Sequence, residues 1–470
     1  MPEMHYSVAM TRGLKDDLEA FLLRTDEQED LVFGLYTPSL GTERFTAMLT
    51  EVLYPEDSDR QVHGNASFNA SYVDRVYAAA MANGQGVALL HSHLSPGWQG
   101  ASDDDIVADM RLASSAVPAT DLPFFSLTLA TDGVWSARAW TNEGGQVKGR
   151  WCTHVRTMGL HLRVDYANHL RPIPMMGNRL RRTRAVWGDV NQAALSRLTV
   201  GIVGLGSVGS QVCEQLARSG FTRLVLIDYD RVEEHNLDRL VSAYPENIGE
   251  FKVDVAGRNA QRSATVPEIS VQRVPFSLNS PEGYRAALDC DVLFSCVDRP
   301  QPRRLLNHMA YAHLIPVIDG GIRVRHRDGA FKGVNWQVQT VGVERPCLTC
   351  VGALDFSQAE WDASGLLDDP TYIEGLPNSE GLKASENVYT FSSAVASLEV
   401  MQLVALVTGL QNFGVQRFDF FEGRTEANLD EQQQLSCQCK ALLIATGDTK
   451  EDWLSHDLNL REARRLRETV

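Results

Sequence analysis

A strand, a glycine turn, a helix and a second strand follow one another in the run RLTVGIVGLGSVGSQVCEQLARSGFTRLVLIDYD, residues 197–230. Gly204, Gly206 and Gly209 form a G-x-G-x-x-G turn at the point where the first strand ends and the helix begins. Two further continuous apolar runs, DVLFSCVD and IPVIDGGI, are separated by the helical run QPRRLLNHMAYAH. Buried strands that alternate with helices are typical of a parallel sheet covered on both faces. This part of the chain therefore predicts an α/β fold with a mostly parallel sheet.

The N-terminal part of the chain has a different pattern, with several strands and few helices between them. LVFGLYTP, FTAMLTEVLYP and GVALLHSH are strand-like, and FFSLTLATDGVWSARAW predicts a hairpin that turns at Asp132 and Gly133. NASYVDRVYAAAMANG predicts a helix that Gly84 ends. We expect an α+β domain at 1–148, a helix with a linker at 149–180, the α/β domain at 181–445, and a charged tail at 446–470 that forms a surface helix.

The composition excludes some classes of protein. A formal net charge of −16 argues against a nucleic-acid partner, because such a partner requires a basic face. The apolar runs are too short and interrupted for a membrane span, and the N-terminus lacks the pattern of a signal peptide. We therefore expect a cytoplasmic protein. In a reducing compartment, the pairs Cys347/Cys350 and Cys437/Cys439 indicate a metal site rather than disulfides.

The glycine turn by itself indicates a bound nucleotide. Its backbone N–H groups and the helix N-terminus that follows are suited to a phosphate group. A nicotinamide-dependent dehydrogenase has the same turn, with an acidic residue on the ribose about 20 positions further on. Asp228, which follows Gly209 by 19 positions, satisfies that pattern. An NAD-dependent oxidoreductase is therefore one alternative function.

The run HSHLSPGWQGASDDD, residues 91–105, contains a second set of candidate site residues. His91 and His93 point to the same face if both lie on a strand, and Asp105 lies one helical turn after Ser102. Two His, one Asp and a water would form an open catalytic zinc site. The alternative is purely structural, with Ser102 as a helix N-cap and Asp105 in the first turn of the helix.

Residues 5–145 resemble the JAMM/MPN metallopeptidases, which have a cytidine-deaminase-like fold, because His91, His93, Ser102 and Asp105 match that family's motif. The resemblance implies that His91, His93 and Asp105 bind a catalytic zinc ion and that Ser102 stabilises the tetrahedral intermediate. Leu94 stands where the family has Pro. The family's general base is a Glu on an early strand, for which Glu29 is the first candidate, and Asp30 and Glu27 are the alternatives.

Residues 180–445 resemble the adenylyltransferases of the ThiF, MoeB and ubiquitin-activating type, which have a Rossmann-like sheet. The matching positions beyond the glycine turn are Asp228, Asp230, Asn236, Arg239, Lys252 and Asp298, with Arg303 and Asn307 at the expected offsets after Asp298. The resemblance implies that Asp228 binds the ribose of ATP and that Asn236, Arg239 and Lys252 surround the triphosphate. Asp298 would bind Mg²⁺.

The same resemblance implies a homodimer. Arg182, with Arg181 and Arg184 as alternatives, would reach the ATP site of the neighbouring subunit.

The cysteine pairs resemble the zinc knuckles of that adenylyltransferase family. Cys347, Cys350, Cys437 and Cys439 would form a structural Zn²⁺ site, although the second pair is CxC where the family has CxxC. Buried thiols are the alternative. The loop 351–387 contains no cysteine, so we expect the activated acyl group to pass directly to a cysteine of a partner protein.

The leading hypothesis is a fusion enzyme that uses ATP, Mg²⁺ and Zn²⁺. One domain would adenylate the C-terminal glycine of a ubiquitin-like protein. The other would process that protein or remove it from its conjugates, in a bacterial pathway of ubiquitin-like protein conjugation. The expected partners are a diglycine-ended ubiquitin-like or sulfur-carrier protein and a conjugating enzyme. Activation of a sulfur carrier for cofactor or metabolite biosynthesis, the oxidoreductase, and a scaffold without catalysis are the alternatives.

Overall fold

The structure of the protein is a computed structural model. It describes residues 4–63, 65–327, 330–368, 387–410, 412–429, 437, 439 and 442–450. The chain forms two compact units, of which the first contains residues 1–172 and 445–449 and the second contains 173–444 and 450–470. Each unit is built around its own sheet.

The first unit contains a mixed sheet of nine strands in the order β11-β10-β1-β3-β2-β6-β7-β8-β9. The strands of this unit are β1 (His5–Thr11), β2 (Leu31–Leu40), β3 (Arg44–Leu53), β4 (Arg60–His63), β5 (Asn65–Phe68), β6 (Gly86–Ser92), β7 (Phe124–Leu129), β8 (Trp135–Glu143), β9 (Gln146–Trp151), β10 (His154–Met158) and β11 (Leu162–Tyr166). β4 and β5 form a separate hairpin. The helices are α1 (Arg12–Leu22), α2 (Ala70–Asn83) and α3 (Asp103–Thr120).

Alternating side chains divide the first sheet between two cores. Val32, Ala88 and Leu90 belong to the core that also contains Leu18 and Leu22 of α1. Their neighbours along the strands, such as Phe33 and Leu89, belong to the core that contains residues of α2 and α3. Since the side-chain period of a strand is two, His91 projects from the α3 face, like Leu89. This pattern orients His91 towards the start of α3.

The second unit contains eight strands in the order β14-β13-β12-β15-β16-β17-β18-β19. They are β12 (Thr199–Val203), β13 (Arg223–Ile227), β14 (Ser270–Val274), β15 (Val292–Ser295), β16 (Val317–Arg327), β17 (Ala330–Val341), β18 (Val415–Asp419) and β19 (Arg424–Asn428). β14, β13, β12, β15 and β16 are parallel, and the remaining pairings are antiparallel. The parallel part has the Rossmann strand order, so the expected α/β class is correct.

Helices cover the second sheet. They are α4 (Arg181–Arg197), α5 (Gly209–Arg218), α6 (Lys252–Ser263), α7 (Pro281–Leu288), α8 (Pro300–Ala312), α9 (Phe356–Ala363) and α10 (Tyr389–Thr408). Within the described residues, α10 alone has the length and apolar composition of a membrane span. Half of it is buried inside the protein, and it contacts α5, β16 and β17. α10 therefore packs as a core helix of this unit.

Two predicted boundaries differ from the structure. The segment 149–180, expected to be a helix with a linker, contains β10 and β11, and β10 pairs in parallel with β1 of the first sheet. Residues 445–449, expected at the end of the α/β domain and in the tail, belong to the first unit. Both differences have one cause, because strand pairing over long sequence separations is not visible in local periodicity. The surface helix expected in the tail lies mostly outside the described residues.

Candidate functional site

The first unit brings His91, His93 and Asp105 together. The Nε2 atoms of the two histidines are 3.1 Å apart. The Asp105 carboxylate oxygens lie 3.7 Å from His91 Nε2 and 3.4 Å from His93 Nε2. Ligands of a tetrahedral zinc ion are about 3.3 Å apart when each bond is close to 2.0 Å. The three side chains therefore fit a metal ion in both chemistry and spacing.

The protonation states of His91 and Asp105 suit a metal site, whereas the pKa of His93 is raised, first by its hydrogen bond with Asp105. Burial lowers the pKa of His91 to about 4, against the opposing charge of Asp105. Burial alone would raise the pKa of Asp105, but the hydrogen bond with His93 and the charge of His91 bring it below its ordinary value. His91 is thus neutral and Asp105 ionised at neutral pH, which are the forms that bind a cation.

Ser102 has the structural role that was the alternative to a catalytic one. Its Oγ accepts a hydrogen bond from the Asp105 backbone N–H at 3.1 Å, and Asp105 Oδ2 accepts from the Ser102 N–H at 2.7 Å. This reciprocal capping box begins α3. It also fixes the Asp105 carboxylate beside the two imidazoles. The cap and the candidate metal site are therefore one arrangement.

The structure separates the three candidates for a general base. Glu29 is partly buried and interacts electrostatically with the cluster: burial raises its pKa, the charge of His93 lowers it, and that of Asp105 raises it. Asp30 is buried and paired with Arg24 and Arg60, and it also accepts from its neighbour Leu31 N–H at 2.7 Å. Glu27 lies exposed in a turn with φ +56°. Of the three candidates, Glu29 is therefore the one whose charge interacts with His93 and Asp105.

In the second unit, the glycine turn lies where the strand order reverses. Gly204 follows β12, with φ +87°, and a Cβ there would lie 2.5 Å from the carbonyl oxygen of Cys296, which follows β15. β12 and β15 are neighbours, so the turn and residues 296–298 lie at the same edge of the sheet. Ligands of such folds bind in the crevice at this switch point. Asp298 is exposed at this edge.

Asp228 supports the glycine turn from the next strand. Its carboxylate accepts hydrogen bonds from Leu205 N–H at 2.5 Å and from Asp230 N–H at 2.8 Å. Burial raises the pKa of Asp228, and the charge of Lys252 opposes that rise. The predicted ribose ligand thus also holds the backbone of the turn in place.

Lys252 is a basic residue beside the turn, at the start of α6. Its Nζ lies 2.7 Å from Asp230 Oδ2, and Lys252 and Leu205 line the same small cavity. Asn236 is buried, and its Oδ1 accepts from Glu233 N–H at 3.1 Å, closing a short turn. Arg239 lies at the end of that turn and pairs with Asp238. Of these three residues, Lys252 lines the cavity beside the glycine turn, and Asn236 and Arg239 lie in the short turn that precedes the cavity residues Leu240 and Val241.

The N-terminal arginines of α4 lie on the surface. Arg181 and Arg182 are exposed, whereas Arg184 bonds to Asp189 at 2.6 Å and to the Met176 carbonyl at 3.3 Å. Arg184 therefore has local partners, whereas Arg181 and Arg182 project from the surface.

Three cysteine sulfur atoms cluster in the second unit. Cys347 Sγ lies 3.5 Å from Cys350 Sγ and 3.6 Å from Cys437 Sγ. The pKa of Cys347 is raised, first by a hydrogen bond with Cys439 and then by burial. Thiolates of a tetrahedral zinc site lie about 3.8 Å apart. Cys347, Cys350 and Cys437 therefore have the spacing of three ligands of a structural zinc ion. Cys439 interacts with Cys347 but is not close enough to all three to belong to this group.

Two residues placed with the nucleotide motif have other roles. Asn307 donates to Cys439 Sγ at 3.3 Å and accepts from Leu348 N–H at 3.0 Å, so it supports the cysteine cluster. Arg303 forms a two-point ion pair with the buried Asp319. Both residues lie on α8, where residues four apart share a face. Their offsets from Asp298 therefore did not show whether they contact a nucleotide or bond to other residues of the protein.

The sequence reading missed a buried acidic group behind the turn. Glu399 of α10 is fully buried, its Oε2 lies 3.8 Å from Cys296 Sγ, and burial raises its pKa well above the ordinary value. A Glu within the strongly apolar run SSAVASLEVMQLVALVTG was the available signal. The contact with the buried Glu399 indicates that Cys296 is a packed thiol rather than a nucleophile, because a nucleophilic cysteine requires a site that favours its thiolate.

Substitution of Gly209 by Ala is expected to destabilise the second unit by at least about 2 kcal/mol, because the new Cβ would overlap the Gly204 carbonyl oxygen. Gly206→Ala is the matched control, since nothing lies within 4 Å of a Cβ at that position. Urea unfolding of the two variants measures the difference. Equal midpoints would contradict the packing described for the turn.

The fold and this crevice define a nucleotide-binding α/β protein. The family model that matches the chain is described as "ThiF family" and covers residues 179–440. The chain belongs to the ThiF family.

Among similar proteins, the sulfur carrier protein adenylyltransferase of Thermus thermophilus is 32% identical over 203 residues, which are 42% of this chain and 72% of that protein. The ubiquitin-like modifier-activating enzyme 5 of Bombyx mori is 30% identical over 128 residues, or 25% of this chain. The chain spans about a third, 32%, of that relative's length. A crystal structure of E. coli MccB with ATP covers 57% of this chain and 76% of its own, with a TM-score of 0.42 and 19% identity.

Proposed function

We propose that the second unit adenylates the C-terminal carboxylate of a small carrier protein with ATP. Membership of the ThiF family carries this proposal, and the crevice at the glycine turn supports it. Gly204, Gly206 and Gly209 would hold phosphate groups through backbone N–H groups, and Asp228 would hold the ribose. Lys252, Arg239 and Asn236 would stabilise the charge that develops at the α-phosphorus. Asp298 would bind the Mg²⁺ that accompanies the phosphates.

The carrier is proposed to be a ubiquitin-like or sulfur-carrier protein that ends in diglycine. The names of the relatives from Bombyx mori and Thermus thermophilus support this class. The test is exchange of radioactive pyrophosphate into ATP by the full chain, with and without a purified diglycine-ended carrier. Exchange that depends on the carrier supports the proposal, and tight NADH binding without ATP binding would favour the oxidoreductase.

The proposed assembly is a homodimer. Val186 and Val190 of α4 have exposed fractions of 80% and 83%, and Met175 of 78%, in the segment that contains Arg182. Exposed apolar side chains in one segment are characteristic of a surface that another protein covers. In the dimer, Arg182 would reach the partner's ATP site.

The acyl group would pass to a cysteine of a conjugating enzyme or other partner, since Cys213 and Cys296 are packed against other residues.

For the first unit, we propose a zinc-dependent peptidase or isopeptidase of the JAMM type. The observation that carries it is the convergence of His91, His93 and Asp105, spaced for a single ion. Zinc at this site would supply a Lewis acid that polarises the scissile carbonyl. Glu29 would take the proton of the attacking water and pass it to the leaving amine, and Ser102 would donate a hydrogen bond to the oxyanion. A cytoplasmic location remains an expectation from the sequence.

Glu29→Gln is expected to lower cleavage of a carrier–peptide fusion by about 10²- to 10⁴-fold, because a general base is removed. The fold should be unaffected. Asp30→Asn should instead cost about 3 kcal/mol of stability, because it weakens a buried ion pair with Arg24 and Arg60. Steady-state cleavage rates and thermal unfolding of both variants make the comparison. Full activity of Glu29→Gln would contradict Glu29 as the general base and leave Asp30 and Glu27 as the candidates.

A further inference from the structure

Arg138 of β8 lies between two indole rings on the α3 face of the first sheet. Trp140, two positions further along β8, packs in the core that contains α3, and the period of two places Arg138 on the same face. Trp151 of β9 pairs in register with Arg138. The Arg138 Cζ atom lies 4.8 Å from the centroid of the Trp140 ring and 5.0 Å from that of Trp151. The two rings therefore hold the guanidinium group through cation–π contacts.

Two hydrogen-bond donors beside Trp151 have no acceptor among the described residues. Arg138 is partly buried, and its Nε atom is shielded from solvent without a partner. The same is true of Nε1 of Trp98, whose ring centroid lies 6.2 Å from that of Trp151. Buried donors in proteins are nearly always paired. The two donors therefore indicate a site for an acceptor that another molecule supplies.

Asp109 of α3 acts on the charge of Arg138 but does not accept a hydrogen bond from it. Burial lowers the pKa of Arg138, and the charge of Asp109 opposes that effect. Asp109 Oδ2 accepts from Ser126 Oγ at 2.6 Å and from Trp140 Nε1 at 3.1 Å, whereas Oδ1 is buried without a partner among the described residues. The negative charge of Asp109 disfavours a dianion such as phosphate. A singly charged carboxylate, whose planar shape matches the guanidinium fork, suits this site.

The two donors lie close to the candidate metal cluster. His91 pairs in register with Thr128 of β7, and Thr128 pairs with Ser136 of β8, two positions before Arg138. With strands about 4.8 Å apart and about 3.4 Å per residue along a strand, the Cα atoms of His91 and Arg138 are about 12 Å apart. Trp98 is in the loop that follows the histidine pair. An extended peptide advances about 3.5 Å per residue, so a substrate can reach the metal cluster and the long Arg138 side chain within about two residues.

We propose that Arg138 and the indole N–H of Trp98 bind a carboxylate of the peptide that the first unit cleaves, within two residues of the scissile bond. This inference rests on the proposed peptidase function and adds a determinant of its specificity. The two residues before the scissile bond are glycines in the proposed carrier and have no side chains. The carboxylate therefore belongs to the leaving segment, as its free C-terminus or as an acidic side chain. A segment without a carboxylate would leave both donors unpaired and bind more weakly.

Titration calorimetry of the full, zinc-loaded chain with three uncleavable peptides tests the site. Each has a ketomethylene group in place of the scissile amide after acetyl-Gly-Gly, followed by Ala-Ala with a free carboxylate, Ala-Ala amide, or Asp-Ala amide. We expect a peptide with a carboxylate to bind about 10-fold more tightly than Ala-Ala amide. The free carboxylate and the Asp side chain distinguish the two sources of the charge. This comparison requires no substitution in the protein.

Arg138→Gln should remove the difference between the peptides, and Arg138→Lys should keep part of it, because lysine retains the charge without the fork. Arg111→Gln is the matched control, since Arg111 is exposed on α3, and it should keep the full difference. Equal affinity of the unsubstituted chain for all three peptides overturns the proposal. It is also overturned if Arg138→Gln weakens all three alike, as a purely structural role would.

Cleavage of the corresponding ordinary peptides is measured separately on the unsubstituted chain. A preference for the carboxylate without cleavage would contradict the peptidase function but support the carboxylate site. Cleavage without that preference would contradict the carboxylate site alone.

Discussion

A His91→Ala variant is expected to cleave a carrier–peptide fusion about 10³-fold more slowly than the unsubstituted protein, or not at all. His91 Nε2 faces both His93 and Asp105, so its loss removes one of three candidate ligands. Lewis-acid activation contributes several kcal/mol to the transition state, and each 1.36 kcal/mol is a factor of ten. The measurements are the cleavage rate and the zinc content per chain, which should fall by one ion.

The same variant should retain carrier-dependent pyrophosphate exchange, because that chemistry is assigned to the other unit. His5→Ala is the matched control, since His5 is exposed at the start of β1 and takes no part in the cluster. It should keep both the cleavage rate and the zinc content. If His91→Ala loses neither cleavage nor zinc, the cluster is not a catalytic metal site, and the first unit is better described as a docking scaffold.

The second large effect is expected at the nucleotide site. Lys252→Ala should lower carrier-dependent pyrophosphate exchange by about 10²- to 10³-fold, because a charge preorganised beside the phosphates is removed. The Lys252 side chain is 13% exposed and already oriented by Asp230, so its charge acts in a partly desolvated setting. Exchange kinetics as a function of ATP and carrier concentration provide the measurement.

The stability of this variant should change little. Asp230, which loses its partner, is 47% exposed, and a pair of this exposure contributes at most about 1 kcal/mol. Arg218→Ala is the matched control, since it removes a 62% exposed cation from the same unit and should keep full exchange. Peptide cleavage should be unaffected in both variants. Normal exchange in Lys252→Ala would remove this lysine from the adenylation site.

A structural element was predictable from the sequence where residues within that element determine its conformation. The glycine turn between β12 and α5 is such a case, because Gly204 requires a positive φ and Gly209 a close backbone approach. The spacing of His91 and His93 is another, since a period of two puts both on one face of a strand. Ser102 predicted the start of α3 by the same kind of local rule.

The sequence could not choose between residues whose roles depend on neighbours from other elements. Glu29 and Asp30 are adjacent in the chain. Their roles differ because Arg24 and Arg60 form ion pairs with Asp30 in the folded structure. Likewise, Asn307 fitted a nucleotide motif by its offset, whereas the return of the chain at Cys439 places it beside the cysteine cluster.

The sequence by itself determined the α/β class of the second unit, the glycine turn, the histidine pair and the cysteine pairs, since each follows from steric or ligand chemistry within a few residues. Only the tertiary structure decided that β10 and β11 complete the first sheet and that residues 445–449 cover the edge of β2. The physical reason is that strand edges are satisfied by whichever segment reaches them, and local patterns do not record that choice.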